Sequence, residues 1–242
     1  MILITRPYEE AKILKKELSK YGFESVLDPL ISFKTQFKKI EYNENYYYLV
    51  SSVQTVRALS KFKKMYELVL SNGNFLVIGK KVLRELKNLK QIKLKKVTEN
   101  SDDMYNYLKK DSHLLRQKKT IIYLSGSIIN KDFLTKLKSK KISVKRKILY
   151  KVLSQKNLKR KTISLLRNHK IKKIVLFSSH TAQIFINHIK SEKLKDYVTD
   201  IKIYALSERI REVVKKSGFF SEINTANQPN QLSMIKKIKS QN

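Results

Sequence analysis

The chain has 242 residues, 41% of them hydrophobic and 10% aromatic, which leads us to expect one large or two small cores and argues against whole-chain disorder. It contains no cysteine, which removes disulfides, thiolate metal sites and cysteine nucleophiles together and fits a reducing cytoplasm. The net charge of +33 points to anionic partners, yet it is built from 44 Lys and only nine Arg, without the aromatic-basic interleaving and arginine forks that nucleic-acid readers use.

The amino terminus, "MILITRPYEEAKILKKEL", has too short an apolar run for a signal peptide, and no 18-residue apolar span follows, so a soluble cytoplasmic protein is expected. "ILIT" reads as a strand. Pro7 then suits a first helical turn, and Ala11, Leu14, Leu18 and Tyr21 recur at helical spacing until Gly22 ends the element. "FESVLDPL", "YYYLVSS", "FLVIG", "TIIYLSG", "KIVLFSS" and "IKIYALS" read as further strands, most of them running into a helix with no hairpin signal between. Such alternation predicts an α/β fold with parallel sheets flanked by helices. Two longer extended runs, "LDPLISF" at 27–33 and "KISVKRKILYKVLS" at 141–154, are candidate crossing strands between two domains.

A repeat supports two similar domains. "LVSSVQTVRAL" at 49–59 is echoed 127 positions later by "LFSSHTAQIFI", and at the same offset "IGKKVLREL" lies on "ALSERIREV" and "VTEN" on "NTAN". Thr55, Ala58, Leu59 and Phe62 fall on Ala182, Phe185, Ile186 and Ile189, one apolar helix stripe written twice, read as core packing. A fainter echo sets "LITRP" against "YLSGS". The linear order suggests halves divided near 118 and leaves open which half the first βα unit joins.

In parallel sheets ligands gather where strands end and helices begin. Ser51 and Ser52, like Ser178 and Ser179, stand at such junctions, where hydroxyls and unpaired helix amides suit carboxylates; Thr181 adds a hydroxyl to the second set. Ser52 and Ser179 are also the expected helix caps, a compatible role. Gly79 would let the backbone approach a ligand, whereas its repeat partner is Leu206, followed by Ser207; Gly126 and Ser127 form another strand-end loop. No P-loop, GxGxxG or GxSxG pattern occurs. His113, His169, His180 and His188 lack metal-site spacing, so no metal is expected, and Asp102-Asp103 reads as a helix start. Tyr150 lies in the second crossing strand, between domains that would enclose a cleft. A phenol titrates near pH 10, so at neutral pH it donates a proton or hydrogen bond.

Taken together, "LITRP", "DPLISF", "LVSSVQTVRAL", "VIG", "ENSDDMYNYL", "YLSGS", "ILYKV", "LFSSHTAQIF" and "INTANQPNQL" form an ordered series that resembles the uroporphyrinogen-III synthases over nearly the whole chain. The resemblance implies two α/β domains, 1–30 with 155–242 and 37–148, joined by connector strands 31–36 and 149–154. It implies a cytoplasmic, monomeric, cofactor-free enzyme, with no nucleic acid or membrane as partner. Its substrate would be hydroxymethylbilane, a linear tetrapyrrole rich in carboxylates, closed with loss of water and inversion of the last ring.

Tyr150 falls on the connector tyrosine proposed in the family as proton donor. The chain departs from the family's Gly-x-Thr turns, with Val82 and Arg209 at the Thr positions and Leu206 at a Gly position; Lys80 or Arg209 could face substrate carboxylates instead. The lost threonines favour one alternative, a noncatalytic two-domain polyanion binder, and the net charge of +33 leaves another, a nucleic-acid-binding protein.

Overall fold

The computed structural model describes residues 1–110, 119–129 and 131–241; His113 lies outside them. The chain divides into two compact units, Met1–Ser32 with Leu153–Asn242, and Phe33–Val152.

In the first unit, strands β1 (Ile2–Ile4), β2 (Ser25–Leu27), β9 (Lys173–Leu176), β10 (Lys202–Ala205) and β11 (Ile223–Thr225) form one sheet in the order β11-β10-β9-β1-β2. Every pairing is parallel. The first βα unit therefore inserts between β9 and β2, and packs with the carboxyl-terminal part of the chain. Helix α1 (Tyr8–Ser19) buries Ala11, Leu14 and Leu18 as the spacing predicts, but Pro7 sits just before the helix and Tyr21 lies beyond it, exposed. The helix ends early because Gly22 adopts φ +77°, and Phe23 N–H reaches back to Leu18 O while Gly22 N–H bonds Ser19 O. This double closure stops the spiral before Tyr21 could join its face.

The second sheet comprises β3 (Ile31–Thr35), β4 (Tyr46–Val50), β5 (Asn74–Ile78), β6 (Lys93–Thr98), β7 (Thr120–Gly126) and β8 (Val144–Ser154), in the order β3-β8-β7-β4-β5-β6. Four of its pairings are parallel. Edge strand β3 runs against β8, since Gln36 N–H bonds Leu149 O while Gln155 N–H bonds Leu30 O. The repeat is now legible in three dimensions. β4, β5 and β6 hold the sheet positions that β9, β10 and β11 hold in the other unit, and β7 stands beside β4 as β1 stands beside β9.

Continuous apolar strands bury both faces, as covered parallel sheets require. Tyr48 and Val50 enter one core with Val56, Leu59 and Phe75, while Tyr47 and Leu49 enter another with Met104, Leu108 and Leu137. Along β1 the same alternation sends Leu3 to one side and Ile2 and Ile4 to the other.

Two buried tyrosines set an alkaline limit. Burial pushes the Tyr48 and Tyr204 phenols up to about 12. An unfolded chain gives up these protons near pH 10, whereas the folded one retains them. Their contribution to stability, complete below pH 10, is therefore lost as pH rises towards about 12. Denaturant midpoints at pH 8, 10 and 11 should fall less for Tyr204→Phe than for the parent; parallel declines would remove Tyr204 from this role.

Candidate active site

The carboxyl ends of β4, β5, β6 and β7 bring Ser51-Ser52, Gly79, Ser101 and Gly126 to one edge of the second sheet. Tyr150 reaches the same edge from β8 through a register shift. Ser125 pairs with Ile148, but Gly126 pairs with Tyr150, leaving Leu149 as the extra residue. A bulge of this kind re-aims the residues that follow it. Here it buries Leu149 in the core and sets the Tyr150 ring over Gly126, where a side chain could not fit: a Cβ on Gly126 would lie 2.3 Å from Tyr150 Cζ.

Tyr150 is held by Ser52, Phe33 and Gly126. Its Oη lies 3.0 Å from Ser52 Oγ, and its ring meets Phe33 edge to face at 5.6 Å between centroids. Ser52 also caps helix α2 (Val53–Lys61), its Oγ accepting from Gln54 N–H at 3.1 Å. Ser51 Oγ lies 2.9 Å from Tyr123 Oη. Burial pushes the Tyr150 phenol above its usual value, and the Ser52 contact offsets part of that rise. The phenol thus stays protonated through neutral pH, as a donor must. Ser51, Ser52, Tyr123, Ser125, Gly126 and Tyr150 share a cavity of about 310 Å³ with apolar walls from Ile78, Ile129 and Phe133.

Arg146, four residues before Tyr150, braces this edge from behind. Its Nε donates to Ser125 Oγ at 2.8 Å, and its Nη2 donates to Gly126 O and, at 2.9 Å, to Ser127 O. Ser127 N–H bonds Tyr150 O, and Ser127 Oγ accepts from Val152 N–H.

The other proposed residues of this unit are less enclosed. Gly79 takes φ +97° before helix α4 (Lys80–Leu89), and its N–H bonds Thr98 O at 2.7 Å. Lys80 is exposed and pairs with Glu99 at 2.7 Å. Val82 is buried in the core.

In the first unit the serine pair is used differently from the expectation. Ser178, and not Ser179, caps helix α8 (Ser179–Ser191), accepting from Thr181 N–H at 3.1 Å and lying 2.8 Å from Thr181 Oγ1. The helix begins one repeat position earlier than α2, so Ser179 is its first residue and the two pairs are not geometrically equivalent. Ser178→Ala should cost about 1 kcal/mol of stability, whereas Ser179→Ala should cost under about 0.5 kcal/mol. Equal shifts of the denaturation midpoint would reverse this assignment.

Ser207 precedes helix α9 (Glu208–Lys215) without a side-chain capping bond, and Arg209 is exposed in its first turn. Glu208 already brings negative charge to that helix start, bonded to Arg211 and Thr225, and Arg211 holds its carboxyl below the usual range. This makes α9 a weaker anion site than α2, whose first turn carries no acid. Leu206 packs beside the core.

Arg146 and Tyr123 carry no signal of their own in the sequence, the first because it stands among lysines in "KISVKRKILY" and the second because "TIIYLSG" reads as plain strand. His188 is buried, His180 Nε2 lies 3.5 Å from Ser154 Oγ, and His169 packs near Tyr197. Among the described residues no three His, Asp or Glu side chains converge as metal ligands, and no helix is long and apolar enough to cross a membrane.

Comparison with known proteins adds the family. The model described as uroporphyrinogen-III synthase HemD matches residues 12–236. No curated protein matches the chain. Among solved structures, the uroporphyrinogen-III synthetase of Helicobacter pylori aligns with TM-score 0.66 at 14% identity, covering 100% of this chain and 99% of its own. A mutant uroporphyrinogen III synthase from the extremely thermophilic bacterium Thermus thermophilus aligns with TM-score 0.60 at 13% identity, covering 99% and 97%. At such identities the structures attest the shared fold, and the family match rests on the sequence. Together they support neither the nucleic-acid reading nor the noncatalytic one, and the chain belongs to the uroporphyrinogen-III synthase family.

Proposed function

We propose that the chain catalyses the family reaction, closing hydroxymethylbilane to uroporphyrinogen III as a cyclising hydro-lyase. In this reading it works without a cofactor, as a cytoplasmic monomer. The observation that carries the reading, beyond the family match, is Tyr150: a buried, protonated phenol fixed beside Ser52 at the strand ends, in a cavity lined by further hydroxyls.

Tyr150 donates its proton to the departing hydroxyl, which leaves as water and yields an azafulvene cation. The substituted carbon of the last pyrrole attacks this cation to form a spiro intermediate. Fragmentation and reclosure invert that ring, and the pyrrole proton lost at the end restores the phenol. The electron-rich pyrrole drives ionisation by itself, so the protein's main task is to hold one fold of the chain against direct closure.

The strand-end donors of both units, Ser51, Ser52, Gly79, Gly126 and Ser127 with Ser178, Ser179, Thr181 and Ser207, are assigned to the substrate's carboxylates and pyrroles. Incubation with hydroxymethylbilane, followed by oxidation and chromatographic separation of the isomers, should give isomer III; isomer I alone, the spontaneous product, would overturn the reading.

A further inference from the structure

Beside the Tyr150 cavity lies a second one, of about 430 Å³, that shares Ile128 and Ile129 as a common wall. Arg146, Lys131 and Lys138 line it together with Ser127, Thr135 and Leu134. Arg146 is the unusual member. It is only partly exposed, and among the described residues its guanidinium has no ion pair; its three hydrogen-bond partners are the neutral oxygens of residues 125–127. These bonds engage Nε and Nη2 and leave the Nη1 edge for another acceptor.

A half-buried charge without a counter-charge is costly, and a carboxylate presented to that edge would offset the cost with charge-assisted hydrogen bonds. The two lysines add to the positive potential at the cavity. Leu134, Ile128 and Ile129 provide apolar contact for the methylene groups that carry such a carboxylate.

We propose that Arg146, with Lys131 and Lys138, forms a subsite for one carboxylate-bearing side chain of the tetrapyrrole while the reacting end occupies the Tyr150 cavity. The proposal rests on the functional reading above. Because Arg146 also braces Gly126, which packs under Tyr150, occupancy of the subsite bears on the same loop that supports the proton donor.

The test is equilibrium binding of uroporphyrinogen III, kept reduced under anaerobic conditions, to the full chain by calorimetry. Arg146→Gln keeps one amide donor near Ser125 Oγ but removes the charge, and should weaken binding about tenfold or more, the loss expected for a charged hydrogen bond. Lys138→Ala, on an exposed helix position that tolerates substitution, should weaken it about threefold. Arg160→Gln, an exposed arginine of the other unit, controls for net charge and should leave the affinity unchanged. Affinity within about twofold of the parent for both Arg146→Gln and Lys138→Ala would overturn the subsite, as would an equal loss in Arg160→Gln. A parent chain that binds uroporphyrinogen III but forms only isomer I would refute the catalytic reading and leave the subsite judged by the variants. Absence of binding by the parent overturns both.

Discussion

Tyr150→Phe is expected to lower the rate of isomer III formation by about 10²-fold, and by about 10⁴-fold at most, the range for a positioned proton donor. The variant keeps the ring, hence the edge-to-face contact with Phe33 and the fit over Gly126. It loses the hydroxyl 3.0 Å from Ser52 Oγ, while Ser52 retains Gln54 N–H as a partner. The stability change should therefore be about 1 kcal/mol or less. Because spontaneous closure in solution then competes with a slower enzyme, residual product should shift towards isomer I. Initial rates with freshly prepared hydroxymethylbilane, together with the isomer ratio, decide the matter. An unchanged rate would strip Tyr150 of its role.

Gly126→Ala should be nearly as damaging, for a steric reason. The added Cβ would lie 2.3 Å from Tyr150 Cζ and 2.7 Å from its hydroxyl oxygen, distances at which something must move. The backbone at 126 is braced by Arg146, so the ring yields and carries its hydroxyl away from Ser52. A displacement of about 1 Å costs about 10² in rate when geometry carries the catalysis. Overpacking should also cost about 1 to 3 kcal/mol in stability. The double variant with Tyr150→Phe discriminates between mechanisms, since both changes act through one hydroxyl and their rate losses should not add. Additive losses in folded protein would show that Gly126 acts by some other route, such as direct contact with the substrate.

These two residues also show how far the sequence could be read. Tyr150 could be placed only in an extended run and on a family position, since nothing in "ILYKVL" distinguishes a donor from a packed aromatic. Gly126 was recognisable as a permissive strand-end residue, but its actual partner was not. The link between them is the extra residue at Leu149, which depends on how β8 pairs with β7. Arg146 was hidden for the same reason: its alignment with residues 125–127 exists only across that pair. At the serine junctions the repeat correctly marked two strand-to-helix turns, yet the cap moved from the second serine to the first in one copy. A one-residue shift of helix start leaves the hydrophobic stripe intact, so periodicity does not register it.

By itself the sequence determined the alternation of strands and helices, the apolar faces of the elements, the duplication and the turns where donors gather, because each depends on residue types within a few positions of one another. The tertiary structure alone decided that β1 lies between β2 and the far later β9, that β3 runs against β8, and that a bulge seats Tyr150 over Gly126 under the brace of Arg146. Those features are pairings between distant segments, chosen by which apolar faces and backbone groups can be satisfied together, and local periodicity is the same whichever partner is chosen.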